Sequence, residues 1–87
     1  MKIYEKKIKP CYFIAICDGE KTFEIRREDD FFAFAGDLLL LREFSDYDNR
    51  YTGRECLVEI TFIYRGHPLP EGYAVFGIRL IRGCRGR

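Results

Sequence analysis

The order of apolar and polar residues along the chain predicts a mostly β fold. Strict alternation runs over residues 54–64 and 73–81, which is the period of a strand with one buried face. Residues 22–27 alternate over a shorter stretch, and residues 38–44 are apolar on both faces, as in a central strand. The charged segment 3–9 is typical of an edge strand, because lysines there discourage pairing with other molecules. The pattern therefore predicts about five strands.

One short helix is predicted early in the chain. Pro10 suits the first turn of a helix and Gly19 suits the left-handed position that ends one, so residues 11–18 are expected to be helical. Almost all of these residues are apolar, which predicts burial on most of the helix circumference. A turn of a second helix is expected near residues 30–34, and a polar loop is expected over residues 45–53.

Together these elements predict a single domain over residues 1–87, of mostly β (α+β) class. A chain of 87 residues is too short for two cores. About five strands with one or two short helices favour a small β-barrel, because curling the sheet removes exposed edges. We expect Phe62 and Phe76 to point into the core, and the basic segment 82–87 to be a frayed tail.

Charge and hydropathy limit the classes of function. Fifteen Lys and Arg against fourteen Asp and Glu leave a formal charge of +1, which argues against the broad basic field of a non-specific DNA-binding protein. An anionic ligand must then be met by a local group of cations. The apolar runs are far shorter than the ~20 residues that cross a bilayer, and the first residues lack the apolar core of a secretory signal. We therefore expect a cytoplasmic protein with no membrane contact.

The four cysteines, Cys11, Cys17, Cys56 and Cys84, are scattered along the chain. No two of them form a CxxC pair, and His67 is the single histidine. This spacing indicates neither a zinc site nor a disulfide framework. We expect free thiols, no metal and no cofactor, with Cys84 exposed.

Polar chemistry is concentrated in the segment from Gly19 to Arg26. Strand alternation places Thr22, Glu24 and Arg26 on one face, after Lys21 at a turn. These groups can contact a phosphate and the edge of a base. Spacing alone favours a simpler alternative, in which Glu24 and Arg26 pair with each other on a solvated face. As a turn residue, Lys21 is expected to be exposed, so that its loss leaves stability nearly unchanged.

Gly19, Lys21, Glu24 and Arg26 match the motif G-x-K-x-x-E-x-R, by which the chain resembles the ASCH domains of the PUA-like superfamily. More matches extend the resemblance to DUF3850, a small bacterial and phage ASCH-like family. They are Lys7, Pro10-x-Tyr12-Phe13, Phe34-x-Gly36-Asp37 with Leu38 and Leu40, Tyr51-Thr52-Gly53-Arg54 and Gly72-Tyr73. Two positions depart from that family: Tyr4 replaces a frequent His, and Asp30 replaces a common Arg.

The resemblance implies a PUA-like β-barrel with a helix over one opening and a cleft lined by the motif. Similar proteins are proposed to bind RNA, and a few ASCH enzymes hydrolyse N4-acetylcytidine or cleave RNA. In the amidohydrolase branch the position of Glu24 carries a Thr implicated in catalysis, so that mechanism does not transfer to this chain.

We therefore expect a module that binds RNA or a nucleotide-like ligand. The candidate ligand-binding residues are Gly19, Lys21, Thr22, Glu24 and Arg26, and the candidates for stacking against a base are Tyr12, Tyr51 and Tyr73. Two alternatives stay open. One is a small hydrolase acting on a modified nucleoside or RNA, with Lys21 and Glu24 as catalytic groups, and the other is a protein-interaction domain in which the motif is structural.

Overall fold

A computed structural model describes residues 1–85 as five strands and one helix. In chain order they are β1 (Ile3–Ile8), α1 (Pro10–Cys17), β2 (Phe23–Arg27), β3 (Leu38–Ser45), β4 (Arg50–Arg65) and β5 (Tyr73–Arg85). The strands form one sheet in the order β1-β3-β4-β5-β2, curled into a half-barrel. The predicted mostly β fold is confirmed. Over the described residues, α1 is far too short to cross a membrane.

The two edges of the curled sheet are β1 and β2. β1 pairs in parallel with β3, whereas the other neighbouring strands are antiparallel, so the chain crosses over through α1 and β2 before it returns to β3. β1 and β2 do not pair with each other in the described residues. The gap between them is called the seam below. One side chain bridges it, because Arg26 of β2 donates a hydrogen bond to the carbonyl oxygen of Lys7 in β1, at 2.5 Å.

The helix begins and ends as its sequence predicts. Pro10 occupies the first helical position. At the other end Gly19 has a φ of +81°, its N–H donates to Ile16 at 3.1 Å, and the N–H of Glu20 donates to Ala15 at 2.9 Å. This pair of bonds is a Schellman motif, which needs the left-handed backbone that glycine adopts without strain. The chain therefore leaves the helix in a defined direction toward β2.

Burial of the helix is one-sided, contrary to the prediction. Phe13 and Ile16 are buried against the sheet, but the side chains of Tyr12 and Ile14 are about half exposed. The reason is that α1 packs on β3, β4 and β5 along one stripe. The core beneath it also includes Ile8, Ala33, Leu39, Leu41, Cys56, Val58, Ile60, Ala74, Phe76 and Ile78.

A β-bulge reverses the facing of residues in the second half of β4. Phe76 is fully buried, as predicted, but Phe62 is 68% exposed, so its predicted inward orientation is wrong. The register between β4 and β5 shifts next to Thr61, and Phe62 lies opposite Gly77. An extra residue on one strand changes which face the following residues occupy. Ile63 consequently packs against the core in place of Phe62.

Three segment predictions also need correction. Residues 30–34 form no helix, because the N–H of Ala33 binds the Glu28 carboxylate and the N–H of Phe34 binds Asp37. The loop expected over 45–53 shortens to the turn 46–49. The segment 82–85 belongs to β5 and is not a frayed tail; residues 86–87 lie outside the described part of the chain.

Candidate functional site

The carboxylate of Glu24 lies at the centre of an ion group formed by the motif. The side chain is 6% exposed, and each of its oxygens has a cationic partner. The Nζ of Lys21 lies 2.6 Å from Oε1, and the Nε of Arg26 donates to Oε2 at 2.8 Å. Lys21 also donates to the carbonyl oxygen of Phe23 at 2.7 Å. The charge-assisted bonds satisfy the buried carboxylate and hold both cations beside it.

This ion group reverses the usual orientation of an amphipathic strand. The polar side chains of β2 point inward, while Phe23 and Ile25 on its other face are 43% and 50% exposed. The inward direction follows from the pairing of Glu24 with the buried Phe76, since opposite residues of an antiparallel pair point to the same face. The motif is therefore directed toward the interior of the half-barrel at the seam.

A cleft of about 670 Å³ opens along the seam. Its lining comes from both edge strands, from α1 and the connections on either side of it, from the β3–β4 hairpin and from the start of β5. The lining residues are Lys7, Ile8, Lys9, Tyr12, Lys21, Phe23, Glu24, Ile25, Arg26, Arg27, Phe44, Asp46 and Tyr73. Five of them are cationic and two are carboxylates, which gives the lining a net formal charge of +3 although the whole chain carries +1.

Lys7 and Lys9 are the uncommitted cations of this lining. Among the described residues, no carboxylate oxygen lies within 4.0 Å of either ammonium. In contrast, Lys21 and Arg26 share Glu24, and Arg27 pairs with an acidic neighbour. Both lysines are exposed. They are therefore the lining cations that can meet a ligand without breaking an ion pair of the protein.

Aromatic rings form the other part of the lining. Tyr12 and Tyr73 lie there as predicted, together with Phe23 and Phe44. Lys7 places its Nζ 4.1 Å from the centre of the Phe44 ring, within the range of a cation–π contact. The cleft thus combines cationic and aromatic groups.

The other sequence candidates have different places. Gly19 ends the helix and Thr22 is exposed, and neither lines the cleft. The carbonyl oxygen of Thr22 instead accepts a hydrogen bond from Ile78. Tyr51 also lies outside the lining and packs edge-on against Phe44, with ring centres 5.1 Å apart. The expected exposure of Lys21 is wrong, because its side chain is only 14% exposed.

Sequence reasoning gave Lys7 no role in a site and also missed seven other lining residues: Ile8, Lys9, Phe23, Ile25, Arg27, Phe44 and Asp46. Parallel pairing of β1 with β3 brings the end of β1 beside the β3–β4 hairpin, a contact between distant parts of the chain. The match of Lys7 to the DUF3850 pattern was the one available signal. The two departures from that pattern lie outside the lining: Tyr4 donates to the carbonyl of Phe32, and Asp30 accepts from Lys6.

A second buried carboxylate stabilises the hairpin. Glu43 is 1% exposed and accepts two bonds from the guanidinium of Arg54, at 2.7 and 2.8 Å, and a third from the Thr52 hydroxyl. The bond from Arg54 is the main reason that the pKa of Glu43 lies below its ordinary value of 4.5. Arg65 likewise lowers the pKa of Glu28 by a bidentate contact. The bonds from Thr52 and Arg54 to Glu43 give the matched residues Tyr51-Thr52-Gly53-Arg54 a structural role in the hairpin.

The cysteines are not all free, contrary to the prediction. Cys17 at the end of α1 and Cys84 in β5 form a disulfide across 67 positions of sequence. Cys11 is an exposed thiol, although it lies in an apolar run. Cys56 is a buried thiol, and burial, with smaller contributions from the negative charges of Glu24 and Glu55, raises its pKa to about 11.

Comparison with known proteins identifies the family of this fold. No curated protein matches the chain. The family model described as Domain of unknown function (DUF3850) matches residues 3–78, which include the whole motif and all the lining residues of the cleft. The chain therefore belongs to the DUF3850 family.

Proposed function

We propose that this protein binds RNA or a nucleotide-like anion in the seam cleft. The observation that carries the proposal is the concentration of cations there, a net +3 in a lining that belongs to a nearly neutral chain. A local positive field in a concave site attracts anionic ligands and raises their association rate. The cleft volume of about 670 Å³ lies within the range of small-molecule sites.

In this proposal Lys7 and Lys9 contact the phosphate. Both are exposed and have no competing carboxylate, so a phosphate oxygen costs them no existing ion pair. Two exposed aromatic rings of the same lining lie beside Lys21 and provide surfaces for a base: Tyr12 is 48% exposed and Phe23 is 43% exposed. Stacking of a base on such rings contributes about 1–3 kcal/mol and tolerates any base.

The ion group of the motif then acts mainly by positioning. Both oxygens of Glu24 are occupied, and Lys21 is bound to a carboxylate and a carbonyl. A side chain that acts as general base or acid needs an oxygen or nitrogen atom that is free to exchange a proton with the substrate. This supports binding over the hydrolase alternative, in which Lys21 and Glu24 are catalytic. The half-barrel and the G-x-K-x-x-E-x-R motif also support our proposal that the chain is an ASCH-like member of the PUA-like superfamily.

The test is a titration of short fluorescein-labelled single-stranded RNA at several fixed salt concentrations. Lys7→Ala and Lys9→Ala should each weaken binding roughly tenfold to a hundredfold, since each removes a charge-assisted hydrogen bond. Each should also reduce the slope of log affinity against log salt by about 0.7. Lys2→Ala is the matched control, because Lys2 is an exposed lysine just before the opposite end of β1 and lies outside the lining.

The possible outcomes distinguish RNA binding in the seam cleft from hydrolysis and from a purely structural motif. Equal affinity of all three variants would place any RNA contact outside the seam. Hydrolysis of N4-acetylcytidine by the wild-type protein, lost in Glu24→Gln at a temperature where circular dichroism shows that variant to be folded, would make the protein a hydrolase. Absence of both binding and hydrolysis in the wild type would leave the motif as a structural element and overturn the proposal.

A further inference from the structure

Three of the four cysteines meet at one point of the fold. Cys17 comes from the end of α1, Cys56 from the middle of β4 and Cys84 from the last part of β5. Their sulfur atoms all lie within 4.8 Å of one another. Cys17 and Cys84 are partly buried, and Cys56 is 1% exposed. Three elements far apart in sequence thus contribute one sulfur each to a single cluster.

The distances suit a thiophilic cation once the disulfide is open. A Zn–S bond of about 2.3 Å places the sulfurs of a tetrahedral or trigonal site about 3.8–4.0 Å apart. The sulfurs of Cys17 and Cys84, 1.94 Å apart in the disulfide, must separate by about 2 Å, or about 1 Å each, and the sulfur of Cys56, within 4.8 Å of both, needs to approach by at most about 1 Å. Three thiolates and no histidine are a soft ligand set, which favours Zn²⁺ or Cu⁺ over Mg²⁺ or Ca²⁺.

We propose that Cys17, Cys56 and Cys84 bind one Zn²⁺ after a dithiol has reduced the Cys17–Cys84 disulfide. The reductant supplies two electrons and two protons, is itself oxidised to a disulfide, and leaves three protein thiols. Zn²⁺ then displaces three protons and forms three Zn–S bonds, which leaves one position of a tetrahedral site for water or another ligand. Disulfide and metal are mutually exclusive states of this cluster. The inference does not depend on RNA binding.

The experiment titrates the reduced, metal-free protein with Zn²⁺ against a chromogenic chelator under nitrogen. A parallel titration with Cd²⁺ follows the ultraviolet thiolate-to-cadmium charge-transfer band, and far-UV circular dichroism follows the fold. We expect one equivalent bound to the reduced protein and none to the oxidised protein. Cys17→Ser, Cys56→Ser and Cys84→Ser should each weaken binding at least tenfold, whereas Cys11→Ser, the exposed thiol, should bind as the wild type does.

Two results would overturn the proposal. One is the absence of stoichiometric binding by the reduced wild type. The other is equal weakening by Cys11→Ser and Cys56→Ser, which would indicate metal bound by an unfolded chain with any available thiols. If reduction loosens the fold, recovery of the wild-type dichroism on adding one equivalent of Zn²⁺ supports the site, and failure to recover it counts against the site.

Discussion

Replacing Glu24 by Gln tests how strongly the ion group of the motif stabilises the fold. Gln keeps the shape of the side chain and one acceptor oxygen, but it removes the negative charge between the two cations. Lys21 at 2.6 Å then faces a neutral group, and the amide nitrogen cannot accept from Arg26 at 2.8 Å. Both cations remain largely buried, with 14% and 21% of their side chains exposed.

The expected loss of stability is about 3 kcal/mol. Hydrogen bonds to charged groups contribute about 1.5–3 kcal/mol each, and removal of one member of a buried ion pair costs about 3–5 kcal/mol. The residual exposure of Lys21 and Arg26 lets water recover part of this loss, so the lower end of the range applies. For a domain of this size, such a change lowers the melting temperature by roughly 10–20 °C.

The assay is equilibrium unfolding in urea, followed by circular dichroism. Asp29→Asn is the matched control, because Asp29 pairs with Arg27 at a similar 2.7 Å but both side chains are more than 60% exposed. An exposed pair contributes about 0–1 kcal/mol, so this variant should unfold close to the wild type. If Glu24→Gln also unfolds within 0.5 kcal/mol of the wild type, the ion group does not stabilise the fold and the reasoning is refuted.

Three other predictions concern the core, acid and the disulfide. Phe76→Ala should lower the free energy of unfolding by about 3–5 kcal/mol, because it empties a core position. Phe62→Ala should lower it by less than about 1 kcal/mol, because that ring is 68% exposed. Equal losses of the two variants in urea unfolding would contradict the bulge. Glu43 and Glu28 have a lowered pKa in the folded protein, so their stabilising effect is complete above their ordinary pKa of 4.5 and is lost as pH falls below it. The melting temperature should therefore decrease as the pH is lowered below about 4.5. A melting temperature that stays constant down to pH 3 would contradict this. Cys84→Ser should lose up to about 4 kcal/mol, because the disulfide closes a loop of 67 residues; an unchanged denaturation midpoint would show that the bond does not form in solution.

Local sequence signals predicted the elements whose ends depend on single residues. Pro10 and Gly19 bracketed the helix because each acts through its own backbone geometry. Phe62 was misplaced for the opposite reason. The bulge at Thr61 depends on the partner strand, where a Cβ on Gly77 would lie 3.0 Å from the Thr61 hydroxyl, and alternation within β4 carries no trace of it.

The candidate site could be predicted only in part, because it combines local and distant contacts. The sequence pointed to Lys21, Glu24 and Arg26, which are neighbours on one short segment. It did not indicate that Lys21 is largely buried, since burial depends on the helix end and on β2 together. The disulfide between Cys17 and Cys84 could not be predicted either, because it depends on the packing of α1, which ends at Cys17, against β5, which contains Cys84.

The Schellman end of the helix fixes the length of the segment that follows it. Gly19 sets where the chain leaves α1, and pairing with β5 sets where β2 begins. Inserting one residue between Gly19 and Glu24 would turn the carboxylate to solvent and point Phe23 or Ile25 toward the interior of the half-barrel, since strand faces alternate with each residue. In evolution and in engineering, this segment should accept substitutions at the exposed Glu20 but no insertion or deletion.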